Sequence, residues 1–147
     1  MRLSITGGTS LSGNQEGFTL VEMLVVLGII VLLAAMVAPQ VIRYLGSARS
    51  QTASVQIKNL ESALELYYLD TGKYPSEGEG LKALVAAPEG LEAWHGPYIK
   101  NDAGINDPWG RAYVYKQPGE HGNFDLSSLG RDGVAGGDGE DKDLQNW

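Results

Sequence analysis

A long apolar stretch near the N-terminus constrains the fold of this chain more than any other feature. Residues 18–38 read FTLVEMLVVLGIIVLLAAMVA, 21 residues with one charge, at Glu22. A helix of this length, at about 1.5 Å per residue, spans the ~30 Å hydrocarbon core of a bilayer. A secretory signal peptide has a shorter apolar segment, basic residues directly before it and a small-residue cleavage site after it. Here Gln15-Glu16-Gly17 precede the stretch and Pro39-Gln40 follow it, so the pattern indicates a membrane-spanning helix.

The helix is expected to continue as an amphipathic segment that ends near Asp70. Pro39, at the junction, lacks a backbone donor and predicts a kink or a loosened turn. Gly72 is typical of a helix C-cap, and Pro75 prevents continuation. Spacings of three and four predict one face that packs on the rest of the chain. The residues of that predicted face are Val41, Leu45, Ala48, Thr52, Val55, Asn59 or Leu60, Ala63 and Tyr67.

The chain from Tyr74 onward predicts short elements separated by turns. A short helix is expected over residues 81–86. Alternation of β-forming residues predicts strands at 111–116 and 124–129, joined in a hairpin, with a third short strand around 98–99. The whole pattern predicts an α+β fold: one long N-terminal helix packed on a small antiparallel sheet, with a glycine-rich C-terminal loop.

Composition excludes several classes of function. The length of 147 residues suits one domain plus a terminal segment. A net charge of −7 argues against a nucleic-acid partner, because phosphate contacts need basic side chains. The absence of cysteine excludes disulfides and thiolate metal sites. Neither His95 nor His121 accompanies a recognisable nucleophile or acid pair, so no enzymatic activity is predicted.

A loop rich in acidic residues and glycine lies near the C-terminus. Residues 132–143 read DGVAGGDGEDKD. Calcium takes six to eight oxygen ligands, typically carboxylates and backbone carbonyls, and glycines let carbonyls turn toward one centre. The loop is not an EF-hand, because Val134 and Gly136 occupy the third and fifth positions. Composition alone supports a calcium site and a solvated acidic tail equally.

Glu22 is an anomaly within the apolar stretch. A carboxylate at the centre of a membrane helix costs on the order of 2.5–3.5 kcal/mol on insertion scales, so it needs a partner or a reason. One alternative is an acid tolerated near the membrane interface, where water reaches it.

Gly17-Phe18-Thr19-Leu20-Val21-Glu22 resembles the class III signal of type IV pilins and type II secretion pseudopilins. Further motifs follow in order, and together they resemble the major pseudopilin family of type II secretion systems over nearly the whole chain. These motifs are YLDTGKYP (68–75), GLKAL (80–84), DPWG (107–110), PGEHG (118–122), FDLSSLG (124–130), DG (132–133) and NW (146–147).

The resemblance implies a precursor with three parts. Residues 1–17 would be a leader, cleaved after Gly17 by a prepilin peptidase that also methylates the amine of Phe18. Residues 18–39 would form the transmembrane helix, which becomes the filament core, and residues 40–147 a periplasmic globular domain with the type IV pilin-like fold. The subunit would sit in the inner membrane with its C-terminal domain in the periplasm.

The resemblance also implies function and partners. The subunit would polymerise into a helical pseudopilus that supports export of folded proteins across the outer membrane. Its expected partners are further copies of itself, the prepilin peptidase, minor pseudopilins, the inner-membrane assembly platform and, before assembly, membrane lipid. No nucleic acid is expected.

Particular residues take roles under this resemblance. Glu22 would pair with the freed ammonium of Phe18 on a neighbouring subunit, and Pro39 joins it as an assembly residue. A calcium ion would be held in the C-terminal loop. Its expected ligands are the carboxylates of Asp132, Asp141 and Asp143 and the carbonyls of Leu129 and Val134, with Asp138 as a substitute.

Two alternatives stay open. One is a membrane-tethered, calcium-dependent binding module that never polymerises. The other is a type IV pilus subunit, disfavoured because such pilins usually carry a C-terminal disulfide and this chain has no cysteine. The positive-inside rule runs against the implied orientation, since Arg43 and Arg49 follow the apolar segment while the leader carries only Arg2.

Overall fold

The computed structural model describes residues 17–147. Of the predicted leader, only Gly17 falls within this range, and the rest lies outside the described residues. The chain separates into two compact units between Pro39 and Gln40. Each unit is described by itself.

One long helix, α1, runs from Leu20 to Thr71. Thr19 directly precedes it, and its Oγ1 accepts the backbone N–H of Glu22 at 3.2 Å and so caps one of the free donors of the first turn. From Gly17 to Pro39 every residue is exposed. Within residues 17–147, α1 is the single helix long and apolar enough to cross a membrane, judged by length and composition.

The C-terminal end of α1 confirms the predicted stop. Gly72 has a φ of 73°, the left-handed conformation that favours glycine, and its N–H donates to the carbonyl of Tyr68 at 2.8 Å. The helix continues through Pro39. The kink expected there stays a prediction.

The face of α1 that packs on the rest of the 40–147 unit agrees with the predicted one at Leu60, Ala63 and Tyr67, which are buried, and differs from it nearer to residue 40. Val41, Leu45 and Val55 are 49%, 55% and 53% exposed, so their assignment to the packed face is wrong. The buried positions also follow spacings of three and four, but they begin on small residues that carry little hydrophobic signal. They are Gly46, Ala53, Ile57, Leu60, Ala63, Leu64 and Tyr67.

A three-stranded antiparallel sheet faces this helix in the order β1-β2-β3. β1 is Val114–Lys116, β2 is Asp125–Ser128 and β3 is Leu144–Gln145. The predicted β1–β2 hairpin is confirmed, with Tyr115 opposite Leu126. The third strand predicted near 98–99 is wrong. The N–H groups of Tyr98 and Ile99 both donate to the Leu84 carbonyl, which holds this irregular segment against the end of the 80–84 turn, and the third strand comes from the C-terminus.

The remaining elements are short 3₁₀ turns. They cover Gly80–Leu84, Asp102–Ile105 and Gly139–Asp141. The first confirms the short helix expected after residue 80, although it is tighter and shorter than predicted. Leu84 and Leu126 are fully buried in one cluster with Leu60, Leu64 and Tyr67, which joins helix, turn and sheet. The fold is α+β, as the sequence predicts.

Candidate functional site

The start of α1 is the first candidate site. Thr19 and Glu22 have the spacing of a capping box, in which a Glu three residues after a Thr N-cap reaches back to the N-cap backbone. The Thr19 half of this arrangement is present. An acidic side chain in the first turn also interacts favourably with the helix dipole. Glu22 therefore stands at a position where an acidic side chain is favourable for the helix start as well as at the predicted assembly position.

The second candidate site is the C-terminal loop, which begins where β2 ends. The guanidinium of Arg111 donates from Nη1 to the Gly130 carbonyl at 2.7 Å and from Nη2 to the Arg131 carbonyl at 2.5 Å. Gly130 has a φ of 63°, and a Cβ there would come within 2.8 Å of the Asp141 carbonyl. Arg111 thus holds the start of the loop, and Gly130 lets the two ends of the loop approach each other.

Two of the expected metal-ligand carboxylates are bonded inside the loop. Asp132 Oδ1 accepts the N–H of Val134 at 3.0 Å, and Asp143 Oδ2 accepts the N–H of Gly136 at 2.8 Å. The other oxygen, Asp143 Oδ1, is buried and has no hydrogen-bond partner among residues 17–147. A buried carboxylate oxygen without a donor is costly, and a bound cation would compensate it.

The third expected carboxylate, Asp141, is occupied by a neighbouring arginine. Arg131 donates from Nε to Oδ1 at 2.9 Å and from Nη2 to Oδ2 at 2.8 Å, a bidentate pair. The hydrogen bonds and charge of Asp141 raise the pKa of Arg131 further above its ordinary value. The Glu140 carboxylate lies 3.8 Å from the same guanidinium.

The loop also lies on the part of α1 that belongs to the 40–147 unit. Glu140 packs over Gly46, and a Cβ at that position would overlap the Glu140 side chain. Gly46 is buried although it lies on a helix whose neighbouring residues are exposed. A glycine at this position therefore makes room for the loop.

The residues present fit a calcium site in part. Among residues 17–147 no group of three or more His, Cys, Asp or Glu side chains is gathered as a metal cluster. Asp132, Asp143 and nearby carbonyls supply the hard oxygens that calcium prefers, and Asp143 Oδ1 is free to act as a ligand. Of the expected carbonyls, that of Leu129 accepts the N–H of Gly133 at 3.2 Å. Asp141 is the exception, because both its oxygens are held by Arg131.

Two buried aspartates were not singled out by the sequence, yet they hold the turns that frame the loop. Asp107, in the DPWG turn, accepts the N–H groups of Trp109 and Arg111 and the hydroxyl of Ser128. Asp125, 7% exposed, accepts the N–H groups of Glu120 and His121. An aspartate followed closely by glycine is a recognised turn signal, and it could have identified Asp107.

The PGEHG turn forms a small polar cluster around Asp125. His121 Nδ1 lies 3.1 Å from Asp125 Oδ2, and its ring stacks on the C-terminal Trp147 at 4.2 Å. Burial raises the pKa of Asp125, but the hydrogen bonds from Glu120 and His121 outweigh it and lower the pKa below its ordinary value. His121 thus contributes hydrogen bonds that hold this turn.

Comparisons with known proteins agree with this architecture. The family model described as "Type II secretion system (T2SS), protein G" matches residues 40–147. A second model, "Prokaryotic N-terminal methylation motif", matches residues 12–38.

Relatives of known family extend over almost the full chain. The "Type II secretion system core protein G" of Pseudomonas aeruginosa is 44% identical over 91% of this chain and 96% of its own length. That of Vibrio cholerae is 42% identical over 91% of this chain and 92% of its own. The crystal structure of the major pseudopilin from the type 2 secretion system of enterohaemorrhagic Escherichia coli is 33% identical. It matches with a TM-score of 0.55, over 68% of this chain and 87% of that one.

An apolar helix that opens on a Gly-Phe junction and continues into a small α+β unit defines a type IV pilin-like subunit. Within that class the chain belongs to the type II secretion system protein G family.

Proposed function

We propose that this chain is a structural subunit that polymerises into the pseudopilus of a type II secretion system and so supports export of folded proteins across the outer membrane. The observation that carries the proposal is the apolar surface that α1 leaves uncovered beyond residue 40. Ile42, Leu45 and Val55 are 62%, 55% and 53% exposed, and Leu69 is 74% exposed. Neighbouring copies in a filament would cover such a surface.

The proposal includes a membrane-anchored precursor in the inner membrane, with residues 40–147 in the periplasm. Its apolar segment would lie in lipid until assembly moves it into the filament core. Prepilin peptidase, minor pseudopilins and the inner-membrane assembly platform would act on or bind the subunit. The division into leader, core helix and globular domain at residues 17 and 39 belongs to the same proposal.

A tethered calcium-binding module that never polymerises is the main alternative. Such a module needs an anchor, but it needs neither a processing glycine nor uncovered apolar residues on its soluble half. A type IV pilus subunit is less well supported, since the protein G family model matches the whole of residues 40–147.

Processing at the N-terminus tests the proposal directly. We expect cleavage after Gly17, which removes 17 of the 147 residues, and methylation of the new Phe18 amine. Intact-mass measurement of the chain purified from membranes should show the loss of the leader and the addition of one methylene. The control is expression of the chain in a host that lacks a prepilin peptidase, which should leave the precursor intact. A native chain that begins at Met1, or that is cut near Ala38, would contradict the pilin class.

We further propose that the C-terminal loop binds calcium. Asp132 and Asp143 would supply carboxylates, Leu129 and Val134 would supply carbonyls, and Asp141 would join once it is released from Arg131. Five acidic side chains lie between residues 132 and 143, and their mutual repulsion opposes a closed loop. A bound cation would offset that repulsion and satisfy the unpartnered oxygen of Asp143.

Calcium should therefore stabilise the folded chain. A ligand that binds only the folded state at a hundredfold excess over its Kd adds about 2.7 kcal/mol. This corresponds to a rise in thermal midpoint on the order of 10 °C. All three tryptophans, Trp94, Trp109 and Trp147, lie in the 40–147 unit, so their fluorescence in the detergent-solubilised chain reports on that unit alone.

Two variants and a second metal test whether the stabilisation comes from calcium in this loop. Asp132→Asn should weaken the calcium response, because an amide oxygen is a poorer calcium ligand than a carboxylate. Glu77→Gln removes an exposed acid outside the loop and should change stability by no more than about 0.5 kcal/mol. Magnesium should substitute poorly, because it requires a tighter octahedral shell. A thermal midpoint that is the same in chelator and in millimolar calcium would contradict the calcium site, and the loop would then be a solvated acidic segment.

A further inference from the structure

We propose that Arg131 is a built-in competitor of calcium for Asp141: its guanidinium holds this carboxylate when the metal is absent and releases it when the metal binds. The inference rests on the calcium site proposed above and concerns a residue to which that site assigns no role. It makes Arg131 a positioning residue that sets how strongly the loop depends on calcium.

The first support is the geometry of the pair. Both oxygens of Asp141 accept from the same guanidinium, at 2.9 and 2.8 Å, so neither is free for a metal while the pair is closed. A bidentate arrangement of this kind is the strongest ion pair that a carboxylate makes with a side chain. Asp132 and Asp143, by contrast, are held only by backbone N–H groups.

The second support is the backbone. The N–H of Arg131 donates to the carbonyl of Glu140 at 2.8 Å, which places residues 131 and 141 side by side whatever their side chains do. Gly130 allows this approach, since any Cβ there would meet the backbone of residues 140 and 141. The guanidinium is therefore tethered next to Asp141, and competition takes place at a high local concentration.

The third support is the distribution of charge. Among the described residues, the acidic loop contains Arg131 at its entrance and Lys142 near its exit, and the hydrogen bonds of Arg131 go to a loop carboxylate. Glu140, only 18% exposed at its side chain, lies 3.8 Å from the same guanidinium. One cationic group thus faces two carboxylates and reduces the repulsion between them, as a bound calcium ion would.

The competition predicts opposite effects with and without calcium. In chelator, loss of Arg131 leaves Asp141 and Glu140 unpaired, so the loop should be less stable. In calcium, loss of Arg131 frees Asp141 as a ligand, so the metal should bind more tightly. The Arg131 side chain is 54% exposed, and exposed pairs contribute up to about 1 kcal/mol, which sets the expected gain at about fivefold in Kd.

A double-mutant cycle on the full chain in detergent tests this inference. Calcium affinity is measured by calorimetric titration, and the thermal midpoint in chelator is measured by tryptophan fluorescence. We expect Arg131→Ala to tighten calcium binding about fivefold and to lower the midpoint in chelator. In the Asp141→Asn background, Arg131→Ala should leave the calcium Kd unchanged, because the carboxylate that Arg131 competes for is gone, and it should lower the midpoint in chelator by less, because only the contact with Glu140 is left to lose.

The matched control is Arg49→Ala, which removes an exposed positive charge that lines the same surface cavity as Arg131 and Glu140. It should leave the calcium Kd unchanged. Arg131→Lys keeps the charge without the two-pronged contact, and it should tighten binding by less than Arg131→Ala does. This variant also provides the measurement if Arg131→Ala does not fold.

The cycle separates the possible outcomes. If Arg131→Ala tightens calcium binding both in the wild-type chain and in the Asp141→Asn chain, the effect comes from the loss of a positive charge near the metal and not from competition for Asp141. That result would overturn the inference. Equal midpoints of wild type and Arg131→Ala in chelator would also overturn it, as would the absence of calcium binding in both proteins. None of these results bears on the structural role of the chain, which N-terminal processing and filament assembly test independently.

Discussion

Replacing Glu22 by Ala is expected to abolish filament assembly while the chain still folds and inserts in the membrane. Removal of a carboxylate from an apolar helix lowers the cost of insertion by up to about 3 kcal/mol, so insertion should be unchanged or improved. Assembly should fail because the proposed partner of Glu22, the ammonium of Phe18 on the next subunit, loses its counter-ion. The measurement is the number of filaments by electron microscopy, beside the amount of subunit in the membrane fraction.

The capping geometry at the start of α1 calls for a second variant. Glu22 stands three residues after the Thr19 N-cap, at the capping-box position, so Glu22→Ala alone does not distinguish a lost charge from a weakened helix start. Gln also serves in a capping box but carries no charge. We expect Glu22→Gln to fail in assembly like Glu22→Ala. Glu22→Asp keeps the charge with a shorter reach and should assemble in part.

Two results would contradict this role. If Glu22→Ala assembles as well as wild type, the acid is merely tolerated near the membrane interface. If Glu22→Gln assembles normally and Glu22→Ala does not, the residue stabilises the helix start and its charge is not needed. Thr19→Ala, which removes the other half of the cap, measures that contribution separately and should cost about 1 kcal/mol of helix stability or less.

The sequence predicts the extent of α1 well because the apolar stretch marks where the helix begins and Gly72 supplies the left-handed conformation that ends it. The Thr19 cap at the helix start comes from the structure. The packed face is harder to predict because both sides of residues 40–70 carry apolar side chains. The buried side starts at Gly46 and Ala53, which give little hydrophobic signal, while the exposed side carries Val41 and Val55.

In a chain that assembles into a filament, some apolar residues contact other copies and are therefore exposed in the single subunit. Residues kept for contact with other copies look the same in sequence as residues kept for the core. The third strand is a similar case. Leu144 and Gln145 pair with β2 through two residue pairs only, and so short a strand has no alternation that could predict it.

The sequence also predicts the C-terminal loop only in part. Glycines and acidic residues predict the composition of the loop and its place at the C-terminus. They do not predict that Arg131 pairs with Asp141, because an acidic composition gives no sign of which carboxylate a neighbouring cation holds. A cation directly before Asp132, at the entrance of an acidic loop, is the signal that could have indicated the pair. The contact between Glu140 and Gly46 joins positions far apart in the chain, and only the folded structure reveals it.

The assignment of the buried face of α1 leads to a large and specific effect on stability. Leu60 is fully buried in the core cluster, whereas Leu66, on the same helix, is 53% exposed. Leu60→Ala should lower the free energy of unfolding by about 2–5 kcal/mol, from lost burial and the cavity left behind. Leu66→Ala, the matched control, makes the same chemical change in the same helix and should cost less than about 1 kcal/mol.

Val55→Ala decides between the two faces. The sequence pattern places Val55 in the core, but the structure leaves it 53% exposed. In the detergent-solubilised chain without filaments, Val55→Ala should therefore resemble Leu66→Ala, with a thermal midpoint within a few degrees of wild type, while Leu60→Ala lowers it by about 10 °C or more. If Val55→Ala destabilises the isolated chain as much as Leu60→Ala does, the helix packs on the face that the sequence predicts. The apolar surface proposed for contact between subunits would then belong to the core of each one.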